Sequence, residues 1–144
     1  HMTYGFSDEA ALHGLRFELA EGFTSDSGGD VVETGIARRF AAANPPDGLL
    51  VGSTTAAMSA VAGAETSGVV LGRDFDVVAK EAIAVLRRFR REIIIVPEDV
   101  GRAGDFLAHA LVAAIEKRAL DQRQGLEVPE RVEWGSGPRM GGRG

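Results

Sequence analysis

The sequence predicts an α/β fold in which a mostly parallel sheet carries helices on both of its faces. Three short apolar runs, at residues 49–51, 75–79 and 93–96, have the length and composition of buried strands. Helical patterns lie before, between and after these runs, and such alternation is typical of parallel sheets with right-handed crossovers. The 144 residues suit one domain, because domains cluster around ~100 to 150 residues.

Two helices are predicted before the first strand. Apolar residues at helical spacing over 8–21 predict the first helix, which Gly22 ends. The Ser- and Gly-rich stretch 23–29 suits a short strand or a loop. Asp30 followed by Glu33 resembles a capping box, so we expect the second helix to begin there.

The remainder of the chain supplies the other predicted elements. Three helices are expected after the first strand, at 54–67, 83–90 and 100–118. Gly68 stands where a helix favours a left-handed terminal residue. A last edge strand is expected at 126–134, and a flexible tail at 135–144.

Composition excludes several classes of protein. The net charge of -5 opposes binding to a phosphate backbone, so the chain is not expected to bind DNA by itself. The sequence contains no cysteine, which excludes disulfides, thiolate zinc sites and a cysteine nucleophile. No run of residues is long and apolar enough for a membrane helix, and no secretory leader is visible, so a cytoplasmic location without membrane contact is expected.

Several polar residues are expected at the edge of the sheet where the strands end, which is where parallel α/β sheets bind ligands: Ser53, Thr54, Lys80, Glu81, Glu98 and Asp99. Ser53 and Thr54 either bind a hydroxyl or carboxylate group at the start of a helix or simply cap that helix. Glu81 either accepts hydrogen bonds from a ligand or forms an exposed pair with Lys80. The residues alone leave both alternatives open.

Signals for catalysis and cofactors are absent from the sequence. His13 and His109 have no second ligand at metal-binding spacing, so no metal site is expected. No phosphate-binding Gly-x-Gly-x-x-Gly follows a strand, and no Gly-x-Ser-x-Gly turn supports a serine triad. The arginines at 87–91 favour a solvated face over a phosphate site, because the chain as a whole is acidic. We therefore expect neither an enzyme nor a cofactor.

Four segments in order give the chain a family resemblance. Residues 46–61 contain a Pro-Asp-Gly sequence that leads into a predicted strand, followed by a polar pair and a helix of small residues. Residues 68–81 contain a Gly turn, a Gly-x-Asp, a strand and an acidic residue, and 93–107 read as a crossover strand and the following helix. Together with the helix around 11–15, these segments resemble the effector domain of the lactose repressor (LacI) family over residues 10 to about 117.

The resemblance implies one truncated lobe of a periplasmic-binding-protein-like fold. Residues 1–134 would form a partial effector-binding domain, and DNA would be bound only through a helix-turn-helix module that this sequence does not contain. The start His1-Met2 looks like the remnant of a cleaved tag, so the natural chain is expected to begin elsewhere. The function expected is sensing of a small-molecule effector, a sugar or another metabolite, by a homodimer.

Ligand-binding roles for Ser53, Thr54 and Glu81 follow from the same resemblance. Lys80 and Val96 depart from the residues usual in the family, an aromatic and a glutamine, so a ligand other than a simple sugar is also open. The helix at 100–118 would pack on the missing lobe in that family, so a second chain is expected to cover its apolar side, formed by Phe106, Leu107, Leu111 and Ile115.

Two other classes of function stay open. A fragment of a periplasmic-type sugar-binding protein would share the architecture, and the upstream gene would then encode a secretory leader instead of a helix-turn-helix. An unrelated nucleotide-binding α/β domain or enzyme is the third interpretation, although it lacks a phosphate-binding loop.

Overall fold

The computed structural model describes residues 2–24, 27–80 and 84–117, which contain five helices and three strands. In chain order they are α1 (Met2–Leu12), α2 (Gly29–Phe40), β1 (Gly48–Val51), α3 (Thr54–Glu65), β2 (Asp76–Ala79), α4 (Ala84–Phe89), β3 (Ile94–Ile95) and α5 (Val100–Ile115). The predicted edge strand at 126–134 and the tail at 135–144 lie outside the described residues. Within the described ranges, no helix has the length and apolar character needed to span a membrane.

The three strands form one parallel sheet in the order β1-β2-β3. Leu50 of β1 is in register with Val78 of β2, which is in turn in register with Ile94 of β3. Strands β2 and β3 lie within the apolar runs that predicted them, and β1 covers its run and begins one residue earlier, at Gly48. The helices between the strands make the parallel crossovers possible. The α/β class and the parallel sheet are therefore confirmed.

The two faces of the sheet differ in burial. Val77, Ala79 and Ile95 point to one face and are fully or almost fully buried, and α3 packs on this side against β1 and β2. Val78 and Ile94 point to the opposite face and are only half-buried. In the described ranges α3 is the helix that contacts the sheet, so the expected helix layer on the second face is not found there.

Helix α2 completes the core from behind α3. Its buried residues Val32, Ile36 and Phe40 recur at the spacing of one helical face. Phe40 meets Phe75, which directly precedes β2, edge to face with ring centroids 5.0 Å apart. The core therefore consists of three layers, α2, α3 and the sheet, and the buried Leu86 of α4 belongs to the same apolar cluster.

The first helix differs from its prediction. It spans Met2–Leu12 instead of 8–21, and Gly14 follows it with a φ of +64°. The Gly14 N–H donates to the carbonyl of Ala11, and the Leu15 N–H donates to that of Ala10 at 2.8 Å, which is the Schellman pattern of a helix end. The predicted helix over 8–21 is therefore wrong, because Gly14 takes the left-handed conformation and stops the helix early.

The start of α2 also differs from the prediction. The residue at the N-cap is Gly28, without a side-chain cap, and the helix begins at Gly29. Asp30 lies inside the first turn, where its negative charge interacts favourably with the helix dipole, but it is not the N-cap residue of the helix. The capping box was therefore wrong, and the stretch before α2 is a loop in the part that the structure describes, 23–24 and 27–28.

Two predicted helix boundaries agree with the structure. Gly68 has a φ of +83° just after α3, as expected for a left-handed residue beyond a helix end. Helix α5 begins at Val100, where the Asp99 carboxylate accepts a hydrogen bond of 2.9 Å from the Arg102 N–H. Pro97 therefore precedes the helix, as the sequence indicated.

Candidate functional site

A cleft of about 530 Å³ lies beyond the carboxyl end of β1, between the N-terminal ends of α2 and α3. Its lining comes from the loop before α2, the first turn of α2, the β1–α3 loop and the first turn of α3: Thr24, Ser27, Gly29, Val32, Gly52, Ser53, Thr55 and Ala56. This is the edge at which parallel α/β sheets bind ligands. It is therefore our candidate binding site.

One wall of the cleft is the junction between β1 and α3. Ser53 has the extended backbone of an N-cap residue, and its Oγ accepts a hydrogen bond of 3.2 Å from the Ala56 N–H. The strand therefore turns into the helix at Gly52 and Ser53, and the Ser53 side chain serves as the cap while it lines the cleft. Thr55, in the first turn of α3, lines the same wall.

The opposite wall is a turn that leads into α2. The Thr24 N–H donates to Ser27 Oγ at 2.8 Å, and the two hydroxyl oxygens lie 3.3 Å apart. The Ser27 N–H also donates to the Thr24 carbonyl at 3.1 Å. These bonds hold both side chains on the short loop beside Gly29, the first residue of α2.

Glycines allow the two helices to approach closely enough to form the cleft. A Cβ on Gly63 of α3 would overlap the carbonyl oxygen of Glu33 in α2 and lie only 3.0 Å from its carbonyl carbon. A Cβ on Gly29 would lie 2.8 Å from Ser59 Oγ. The Ser59 hydroxyl could rotate away from a Cβ on Gly29, but the backbone of Glu33 could not move without α2. A side chain at Gly63 would therefore push α2 away from α3, so the absence of a Cβ there sets the width of the cleft.

The cleft favours ligands that accept hydrogen bonds. Four residues with hydroxyl side chains line it, Thr24, Ser27, Ser53 and Thr55, and none of the lining residues that the structure describes carries a charge. Two helix N-termini meet there, and the free N–H groups of a first turn attract negative charge and acceptor oxygens. Asp30 is exposed in the first turn of α2, so its carboxylate offsets part of that attraction. The described lining residues can bind and orient a small polar molecule.

The predicted site residues fall in three different places. Ser53 lines the cleft, as described above. Thr54 is only 4% exposed and is not part of the lining, because its side chain lies in the first turn of α3 on the buried side. Glu81 lies outside the described residues. The structure therefore joins Ser53 with hydroxyl groups that the sequence had not singled out.

Lys80 and Glu98 form an ion pair at the same edge of the sheet. Lys80 follows β2, Glu98 follows β3, and Nζ lies 2.5 Å from the carboxylate oxygen. Both side chains are partly exposed, so the pair is worth little to stability. It ties the ends of two neighbouring strands together, but neither residue lines the cleft.

Sequence reasoning missed Thr24, Ser27 and Thr55. The signal for the first two was the Ser- and Gly-rich stretch before α2, which we interpreted only as a strand or loop. Thr24 and Ser27 precede the N-terminus of α2, and Thr55 lies at the N-terminus of α3. Only the packing of the two helices decides whether these ends lie close together. Their spacing in the sequence carries no such information.

Within 2–24, 27–80 and 84–117, no three His, Asp or Glu side chains are grouped so that they could hold a metal ion. The comparisons with known proteins do not assign the chain to a family. No protein-family model matches it, and no curated protein is significantly similar to it.

Proposed function

We propose that this chain is the effector-sensing and dimerisation part of a cytoplasmic LacI-type transcription regulator, whose DNA-binding module lies outside this sequence. The observation that supports the proposal is the cleft at the carboxyl end of β1, because the resemblance implied an effector site at this position and Ser53 lines it. The parallel order of β1, β2 and β3 is also what an effector lobe requires.

The lining indicates the chemistry of the effector. Its described residues offer hydroxyls and helix N-terminal N–H groups, and none of these residues is charged. A small molecule rich in acceptor oxygens, such as a polyol or a hydroxy acid, would be recognised by these groups. The proposed effector is therefore a small neutral or weakly anionic oxygen-rich metabolite.

Binding would be coupled to DNA through a change in population between two conformations. A ligand shifts such an equilibrium only by its difference in affinity for the two states. The cleft lies between two helix ends and a loop, so a ligand that contacts all three favours the arrangement in which they are closest. The rest of the regulator would respond to that arrangement.

A thermal-shift screen of the whole chain tests the proposal. The probes are monosaccharides, sugar acids, hydroxy acids and inorganic phosphate, each at about 5 mM, and a ligand that binds the folded chain raises the melting temperature by mass action. The affinity of each hit is then measured by calorimetry for the wild type and for Thr55→Val, which removes a cleft hydroxyl without touching the Ser53 cap. We expect Thr55→Val to weaken binding about 10-fold, since one lost hydrogen bond is worth about 1.4 kcal/mol.

Thr34→Val is the matched control, because Thr34 is an exposed residue of α2 that does not line the cleft. Its affinity should equal that of the wild type. The proposal fails if no probe raises the melting temperature, or if Thr34→Val and Thr55→Val weaken binding equally.

A further inference from the structure

The two helix ends that meet at the cleft differ in charge. Helix α3 has no acidic residue in its first turn, and the neutral Ser53 caps it. Helix α2 has Gly28 at its N-cap and a carboxylate, that of Asp30, in its first turn. A helix N-terminus attracts anions, so this attraction is opposed by a full negative charge at α2 but not by the first turn of α3.

The Asp30 side chain turns back over the start of its own helix. A Cβ on Gly28 would lie 2.7 Å from Asp30 Oδ1, so the carboxylate lies against the N-cap residue. Gly28 stands between Ser27 and Gly29, which both line the cleft. The negative charge is therefore held beside the lining without being part of it, and it is exposed to solvent.

The sizes of the charges indicate how they combine. A helix dipole is equivalent to about half a positive elementary charge at the N-terminus, so the two ends together supply about one. The Asp30 carboxylate supplies one negative charge, and the described lining residues add none of their own. Much of the positive potential of the two helix ends is therefore offset. An anion then gains little over a neutral molecule of the same shape.

We propose that Asp30 acts as a charge filter for the cleft, which means that its field makes the cleft select uncharged polyols over the corresponding carboxylates and phosphates. The hydroxyl and N–H groups of the lining still bind a neutral ligand, because hydrogen bonds depend on local geometry. The inference rests on the proposed function and narrows its effector to the uncharged class. Asp30 acts through its field, since it does not line the cleft.

The potential at the cleft can be measured without a ligand. Nuclear magnetic resonance of the full chain compares the relaxation that an anionic and a cationic nitroxide of equal size cause at the amide protons of Gly29 and Thr55. For the wild type we expect the two probes to act about equally. Asp30→Asn should raise the ratio of the anionic to the cationic effect about 3- to 5-fold at low ionic strength, and about 0.5 M NaCl should reduce that change.

Two further variants separate the position of the charge from its mere presence. Asp30→Glu keeps a carboxylate at the start of α2 and should retain the wild-type ratio. Asp105→Asn removes an equal charge from an exposed position on α5, which in the described ranges does not contact α2 or α3, and should also retain it. Circular dichroism checks that each variant keeps the helix content of the wild type.

Sorbitol and gluconate test the selection itself. Both have a chain of six carbons that carries hydroxyl groups, and they differ by one carboxylate. Titration of the same amide signals gives a dissociation constant for each compound. We expect Asp30→Asn to lower the constant for gluconate about 3- to 5-fold and to leave that for sorbitol unchanged. A purely structural role of Asp30 would change both constants by the same factor.

Three results would overturn the inference: an unchanged probe ratio in Asp30→Asn, an equal change of that ratio in Asp105→Asn, or an equal change of the two dissociation constants. The proposed function fails separately. A shifted probe ratio without binding of either compound would support the role of Asp30 and count against an effector cleft for polyols. Binding of both compounds with an unchanged probe ratio would retain the cleft and reject the charge filter.

Discussion

Replacing Gly63 with alanine tests whether the contact between α2 and α3 leaves no room for a methyl group. The new Cβ would overlap the Glu33 carbonyl oxygen and lie 3.0 and 3.1 Å from the carbonyl carbon and Cα of Glu33. These are backbone atoms, so no side chain can rotate to relieve the contact, and α2 itself must move. Overpacking of this kind costs about 1 to 3 kcal/mol, and the upper part of that range applies here.

Two effects of opposite sign determine the result. Alanine is a better helix former than glycine by about 1 kcal/mol, which partly offsets the overpacking. The net loss in the free energy of unfolding is therefore about 2 kcal/mol, equivalent to a melting temperature lower by about 6 °C for a chain of this size. Urea unfolding followed by circular dichroism measures this loss.

Gly5→Ala is the matched control for this substitution. Gly5 also lies in a helix, but a Cβ there would meet no atom within 4 Å. The control should be as stable as the wild type or slightly more stable. If Gly63→Ala proved as stable as Gly5→Ala, the two helices would not be in the close contact from which we derived the width of the cleft.

Three further changes have defined outcomes. Ser53→Ala should lower the free energy of unfolding in urea by about 1 kcal/mol through loss of the α3 cap, whereas Ser53→Asp should retain most of it. Phe40→Ala should lower the free energy of unfolding by about 3 to 4 kcal/mol, because it leaves a cavity in the core. Phe6→Ala, at a partly exposed ring, should lower it much less. Equal losses for the two variants would contradict the core described above. The hydrogen bonds and charge of Arg39 lower the pKa of Glu18, so this pair stabilises the fold above about pH 4.3 and the contribution is lost as the pH falls through the lowered value. Urea titrations at pH 6 and about pH 3 should therefore show a smaller loss on acidification for Glu18→Gln than for the wild type, and an unchanged loss would contradict this assignment.

Helix α1 shows where reasoning from the sequence failed. The apolar residues Leu15 and Leu19 continued the helical pattern beyond the true end of the helix, but the structure leaves both exposed in a segment without regular secondary structure. A periodic pattern reports which residues could share a face, and a single left-handed residue can end the helix regardless of that pattern. Gly14 was present in the sequence, but its backbone conformation was not readable there.

Sequence patterns were enough to predict the order of strands and helices, the start of α5 after Asp99 and the end of α3 before Gly68. These features depend on apolar runs and on capping residues within a few positions of each other, so local preferences are enough to specify them. The cleft, in contrast, depends on how the helices pack. Its two walls are far apart along the chain. They meet because Gly63 has no side chain, so the backbone of α3 can lie directly against the backbone of α2. This is a contact between residues distant in the sequence, and no local pattern encodes it.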